Sequence, residues 1–264
     1  MRDVIFRWTV WNANPLSIFM LCHSVETFRR FFGPSPRYVV FAEDPAVVDA
    51  LRLCSFELVC LKDADSPFAD TRSNWRKWAP PRLDIRSVEL RIDSDVFLLA
   101  EPAEIRRFCN GRSGRKWLVT QEEFSAQWPY GNFGNRLPTG FVPINAGLVG
   151  QAEGCDISAD LQSAYDWWST HVHDHEIKYH DEQGAVAYCL QQPAKSDHVL
   201  LLDPASHRVV CPLNKPPVSD LGGLILMHAT YPEHPAFVRF IQEIAEVSGL
   251  PSAIPEGPAH ARKR

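Results

Sequence analysis

Residues 88–99 constrain most what this chain can fold into. Val88, Leu90 and Ile92 alternate with Glu89 and Arg91, and a second apolar run, Val96-Phe97-Leu98-Leu99, follows. Period-two alternation is the pattern of a β-strand, and a short continuous apolar run fits a strand buried on both faces. Between the runs stand Asp93 and Asp95. In one uninterrupted strand both acids would point to the same side. That would leave two charges inside an apolar element, which is costly unless something compensates. A break at the strand's carboxyl end, with a divalent cation held by both acids, removes the conflict, because hard cations take oxygen ligands. The competing reading is an exposed turn with two solvated carboxylates.

The flanking sequence gives a repeating pattern. Residues 4–10 read as a buried strand, and Asn14-Pro15 as the start of a helix running to Phe32 and ended by Gly33-Pro34. Strand 37–42, helix 45–53 and strand 56–61 follow. Strands alternating with helices at this spacing predict mainly parallel pairing by right-handed crossovers. Open sheets of that kind bind ligands beyond the carboxyl ends of their strands. Asn12 falls at such an end, although it is also an ordinary turn residue.

A short helix is expected to open over residues 78–83, ahead of the central strand. Residues 122–140, rich in Gly, Asn and aromatic side chains, read as a functional loop, expected to close as a flap over a ligand. Strand 141–149 is interrupted by Asn145-Ala146-Gly147, which suggests either a ligand at close range or a β-bulge with a satisfied side chain. His171, His173 and His175 invite a metal reading, but their alternate spacing suits a solvated loop better. Asp181 and Glu182 open another helix, where acids complement the helix dipole. Trp128, Trp167 and Trp168 are candidates for stacking on a flat ligand face and equally for core packing.

Bulk properties narrow the class. A chain of 264 residues is long enough for one large α/β domain, expected over residues 1–250 with a flexible Pro/Ala/Arg tail over 251–264. Net charge is −5 and the basic run is confined to Arg262-Lys263-Arg264, so no nucleic-acid partner is expected. The seven cysteines are scattered and never spaced Cys-x-x-Cys, which favours reduced thiols and a cytoplasmic location. No signal peptide and no membrane-spanning run is expected, and peripheral membrane association stays open.

The order of the motifs carries a resemblance. Lys77, then Ile92-Asp93-Ser94-Asp95-Val96 with Glu101-Pro102-Ala103-Glu104-Ile105, Ile144-Asn145-Ala146-Gly147-Leu148, Asp181-Glu182-Gln183-Gly184-Ala185 and Leu226-Met227-His228 follow one another along residues 70–230. In this the chain resembles GT-A fold glycosyltransferases, above all the retaining family that includes glycogenin and bacterial lipopolysaccharide galactosyl- and glucosyltransferases. The resemblance implies an α/β GT-A fold with a mainly parallel sheet flanked by helices. It implies a nucleotide-sugar donor (a UDP-sugar) and an acceptor that is a glycan, a lipid-linked sugar or a small molecule. It also implies Mn²⁺ or Mg²⁺ bridging the diphosphate, held by Asp93, Asp95 and His228. Lys77 and Asn12 would lie along the donor, while Asn145, Asp181, Glu182 and Gln183 would surround the transferred sugar. Retention of anomeric configuration is implied with Asp181 or Glu182 near the reacting face. Two departures stand out: the family's Gly-x-x-Lys-Pro-Trp after the histidine is absent, with His234 a candidate substitute, and the acidic segment reads Asp-Glu-Gln rather than Asp-Gln. Nucleotidyl transfer would call for a Gly-rich phosphate loop after the first strand, and Trp11-Asn12-Ala13-Asn14 is not one. A non-catalytic sugar- or nucleotide-binding module is the remaining alternative.

Overall fold

The computed structural model describes residues 3–11, 14–51, 53–64, 66–68, 74–124 and 127–254. Asn12, residues 125–126 and residues 255–264 of the expected tail lie outside the described residues. In chain order the elements are β1 (Val4–Val10), α1 (Pro15–Phe32), β2 (Arg37–Ala42), α2 (Pro45–Leu51), β3 (Glu57–Cys60), β4 (Val88–Ile92), β5 (Val96–Leu98) and α3 (Ala103–Cys109). Then come β6 (Trp117–Gln121), β7 (Ile144–Gln151), α4 (Ser158–His171), α5 (Asp181–Lys195), β8 (Val199–Leu202), β9 (His207–Val209), β10 (Leu226–His228), α6 (Pro235–Arg239) and α7 (Ile241–Ser248). Helix α1 shows how local chemistry sets these limits. The Asn14 side chain accepts the Ser17 amide at 2.9 Å, Pro15 takes the first turn, and Gly33 closes the helix at φ 72°.

A seven-stranded sheet runs β3-β2-β1-β4-β7-β6-β8, and β7 alone is antiparallel to its neighbours. A three-stranded sheet, β5-β10-β9, stands beside it. Each face of the large sheet is covered. Phe6, Trp8, Val88, Leu90 and Ile92 pack with Leu21, Val25 and Phe28 of α1. Ile5, Val39, Phe41 and Val119 pack on the other side with Trp75, Trp78, Tyr130, Phe133 and residues of α5. A third apolar cluster joins Phe19 of α1, Phe97 of β5 and Met227 of β10 to α6 and α7.

Several details differ from the reading of the sequence. Residues 78–83 do not open a helix. A single 3₁₀ stretch, Asn74–Trp78, ends there, because Pro80 and Pro81 have no amide to donate. Within residues 122–140, Trp128–Arg136 is 3₁₀-helical, and Tyr130 and Phe133 are wholly buried. Gly184 lets this segment lie against α5, since a Cβ there would collide with the Tyr130 carbonyl. Near the C-terminal end, α6 and α7 are separate helices divided at Phe240.

Glu89 and Arg91, which alternate with the apolar residues of β4, do not face water. They are 1% and 2% exposed. Arg7 of β1 bonds Glu89 at 3.2 Å and the carbonyls of Ala79 and Pro80, and Arg91 bonds those of Pro80 and Pro81. The other Glu89 oxygen accepts the Leu83 amide at 2.8 Å. The Arg91 guanidinium also lies 3.6 Å from the centre of the Trp78 ring, a cation–π contact. Two buried arginines and one buried acid thus fasten residues 78–83 to the sheet, and with them Lys77 and Trp78. Removing one partner of a buried ion pair leaves the other charge uncompensated. We predict that Glu89→Gln lowers unfolding free energy by about 3–5 kcal/mol, read from the midpoint of urea denaturation at unchanged slope.

Candidate active site

Strand register assembles the site. Strand β4 ends at Ile92, the Asp93 amide donates to the Gly147 carbonyl at 2.8 Å, and a turn closed by Val96 N–H to Asp93 O at 3.1 Å leads into β5. Strand β5 pairs antiparallel with β10, with Val96 opposite His228. The Ala229 amide then donates to the Asp95 carbonyl at 2.8 Å. Asp93, Asp95 and His228 thereby converge, each offering one ligand atom within 4.8 Å of the others. Among the described residues no other group of three His, Cys, Asp or Glu side chains does this. In particular, His171, His173 and His175 lie on an exposed stretch and form no such group.

The donor set fits a divalent cation. His228 Nε2 lies 3.3 Å from an Asp95 oxygen and 3.9 Å from an Asp93 oxygen. Two carboxylates and one imidazole suit a hard or borderline ion such as Mg²⁺ or Mn²⁺. Without an ion, the negative charge is offset locally. Lys77 Nζ stands 2.7 Å from Asp93 and 3.5 Å from Glu182, and His234 Nδ1 stands 3.3 Å from Asp95. Burial disfavours the Lys77 ammonium, but Asp93 and Glu182 outweigh it and hold the pKa above the lysine range. Burial also raises the Asp93 carboxyl, partly countered by Lys77. For Asp95 burial is overcome by His228 and His234, which hold the carboxyl well below its usual range. His228 and His234 are raised in return: burial lowers each, and the acids more than reverse it.

A cavity of about 570 Å³ opens over these groups. Its wall includes Lys77, Asp93, Asp95, Asn145, Glu182, Gln183, His228 and His234, with Trp128 and Tyr179 also on the wall. Two neighbours in α5 diverge. Glu182 lines the cavity, accepts the Trp78 indole N–H at 2.6 Å and is raised by burial. Asp181 is wholly buried and is not on the cavity wall. Its oxygens accept from Asn132 N, Asn132 Nδ2, Trp168 Nε1 and Lys178 N at 2.7–3.1 Å. Of the two acids expected near the sugar, Glu182 lines the cavity and Asp181 does not. Its four donors make it a structural anchor between α5 and the 128–136 segment. Trp168 is consumed in the same contact and Trp167 stacks on His171, whereas Trp128 is 47% exposed on the cavity wall.

Sequence reading missed Glu122. It is 4% exposed and lines the cavity, and one oxygen accepts from Asn145 at 2.8 Å and Gln183 at 3.2 Å. An acid directly after strand β6 was a detectable signal, by the same strand-end logic that picked out Asp93. Asn145 sits where the β6–β7 register shifts between Val119 and Thr120. The β-bulge with a satisfied side chain is present, since Glu122 accepts from Asn145 there.

With this geometry in view, comparison with solved structures is informative. The chain is similar to the galactosyltransferase LgtC in complex with donor and acceptor sugar analogues: 14% identity, 96% of this chain and 98% of that one, TM-score 0.59. It is similar to mouse xyloside xylosyltransferase 1: 13% identity, 86% and 97% coverage, TM-score 0.53. It also resembles the glycosyltransferase GlyE of Streptococcus pneumoniae: 12% identity, 96% of this chain and 61% of that one, TM-score 0.56. No family model and no curated protein sequence matches it. The fold is that of GT-A glycosyltransferases, as the order of motifs implied.

The charge pattern makes a testable statement about the metal-free protein. A histidine raised in the folded state stabilises it below its unfolded pKa, 6.5, and loses that contribution as pH rises through its folded value. His23, His180 and His207 are lowered, so they change stability only below that window. We predict that the metal-free melting temperature falls as pH rises above about 6.5, and that His228→Asn reduces this fall, leaving the part that His234 contributes. Differential scanning calorimetry with chelator present measures both.

Proposed function

We propose that this chain is a metal-dependent glycosyltransferase, moving a sugar from a nucleotide-diphosphate donor, a UDP-sugar, to a glycan, lipid-linked or small-molecule acceptor with retention of configuration. The observation that carries this reading is the convergence of Asp93, Asp95 and His228 on one wall of the cavity, within the GT-A fold. A bound Mn²⁺ or Mg²⁺ would neutralise charge on the diphosphate as a Lewis acid. Lys77 would add a fixed positive charge beside it, presented without reorganisation because Asp93 and Glu182 already hold its ammonium. Glu182 is the acid in α5 that meets the cavity, and Trp78 and Lys77 fix its carboxylate. There it would stabilise positive charge developing at the anomeric carbon. Asn145 and Gln183 would border the transferred sugar, and the exposed Trp128 face suits stacking on a sugar ring.

The cytoplasmic location is part of the same proposal, supported by seven free cysteines. No helix among the described residues is long and apolar enough to cross a membrane. One domain spanning residues 1–250 is likewise proposed.

A thermal-shift screen of UDP-, GDP- and CMP-sugars with and without Mn²⁺ tests donor and metal together, since a ligand of the native state raises its melting temperature. We expect a UDP-sugar to stabilise only with Mn²⁺, and product NMR to give the donor's own anomeric configuration. Glu182→Gln should lower kcat by about 10²–10³ with donor affinity retained. Asp181→Asn should instead cost about 1–3 kcal/mol of stability and leave kcat of the folded fraction near wild type. An inverted product, or the opposite division between the two acids, would contradict the proposal.

A further inference from the structure

Large apolar side chains are left exposed unevenly over this molecule. Among the described residues eight are exposed, and four of them, Trp128, Tyr179, Leu213 and Tyr231, stand on the cavity wall. Single exposed apolar residues are ordinary, but a cluster at a concave site marks a binding surface. Phe124, Trp128, His180 and Tyr179 form a continuous aromatic arc, with ring centroids 5.3–5.6 Å apart from one to the next. Beside the arc, Val209, Cys211 and Leu213 extend the apolar wall. Polar contacts hold that turn in place. Glu123, the neighbour of Phe124, accepts the Val209 amide at 3.1 Å. Buried Asn214 accepts the Cys211 amide at 2.7 Å and donates to the Val209 carbonyl at 3.1 Å. The arc is tied to α5 as well, since the Gln183 amine donates to the Pro129 carbonyl at 3.0 Å.

Charge is divided just as unevenly along the wall. Lys77, His228 and His234 each lie against Asp93, Asp95 or Glu182, so positive charge is gathered and matched at one end. The arc and the turn carry no charged side chain, because burial lowers His180 and leaves its ring neutral near pH 7. The acid beside them on the wall is Glu122, whose hydrogen-bond partners are amides of Phe124, Asn145 and Gln183, not cations. We propose that the arc and the turn form the acceptor subsite, and that the acceptor is a neutral glycoside laid with a C–H ring face on Trp128. This rests on the glycosyltransferase reading above and deepens it by narrowing the acceptor class. A sugar ring, or an aryl group attached to one, offers the flat apolar face that an exposed indole takes up. A phosphorylated or diphosphate-linked acceptor is selected against, since its desolvated anion would face Glu122 without a partner.

Saturation-transfer difference NMR of the full chain with Mg²⁺ and UDP reads this subsite. The probes are methyl and p-nitrophenyl β-glucosides and β-galactosides, with glucose 6-phosphate and galactose 6-phosphate as anionic counterparts. The proposal expects saturation of the ring C–H protons of neutral glycosides and none for the phosphates. Trp128→Ala should weaken glycoside binding about tenfold, and Trp128→Phe should keep most of it. Trp128 is 47% exposed, so neither change opens the core. UDP binding with Mg²⁺, measured by calorimetry on the same samples, tests the donor reading separately. Phosphates bound as tightly as neutral glycosides, no glycoside bound by wild-type protein, or a folded Trp128→Ala protein with wild-type affinity would each overturn the proposal. Neutral glycosides bound in the expected pattern without UDP binding would refute the donor reading and leave the subsite assignment standing.

Discussion

Val96 pairs with His228 across a three-residue antiparallel ladder, and Ala229 continues it by donating to the Asp95 carbonyl. The cavity depends on this ladder. Asp93 and Asp95 come from one turn, but His228 is far away in sequence. Only the register of β5 against β10 sets its ring against their carboxylates. A slip of one residue would turn His228 to the opposite face of the small sheet. The ladder is short, so its position is secured by the apolar cluster behind it, where Phe97 and Met227 pack with Phe19, Phe237 and Ile244.

A second feature is the accumulation of buried charge around the ends of β1 and β4. Arg7, Glu89 and Arg91 lie under the residue 78–83 segment, and Lys77, Glu182, Asp93 and Asp95 lie at the cavity edge. Buried ions are weak evidence for stability, because desolvation cancels much of their attraction. Their arrangement here fits a positional role. The arginines bind three successive carbonyls and hold Trp78, Trp78 holds Glu182, and Glu182 with Asp93 holds Lys77. Lys77, Asp93 and Glu182 on the cavity wall are thus oriented by polar contacts within the protein itself.

Much of this was legible in the sequence, for identifiable reasons. The strand–turn–strand at 88–99 could be read from period and composition, because buried acids between apolar runs admit few solutions. Asn14 and Gly33 marked both ends of α1 through capping chemistry. Other features were hidden. Alternation in β4 distinguishes two faces but not water from a buried counter-charge, so Glu89 and Arg91 gave no sign of burial. Asp181 and Glu182 are adjacent on a helix, about 100° apart, and one sequence cannot say which of them meets a cavity. The composition of the 122–140 segment did not separate Trp128, at the cavity wall, from Tyr130 and Phe133 in the core. The convergence of His228 on the acids followed from motif order in a resembling family and not from spacing.

The central claim is that Asp93, Asp95 and His228 hold a divalent cation that in turn holds the diphosphate of a nucleotide-sugar donor. Anomalous diffraction from crystals grown with Mn²⁺ and UDP, recorded above the manganese absorption edge, tests it most directly. The account predicts one strong peak bonded to an oxygen of each aspartate, to His228 Nε2 and to diphosphate oxygens. UDP bound with no anomalous peak, or with its peak away from these three side chains, would contradict it.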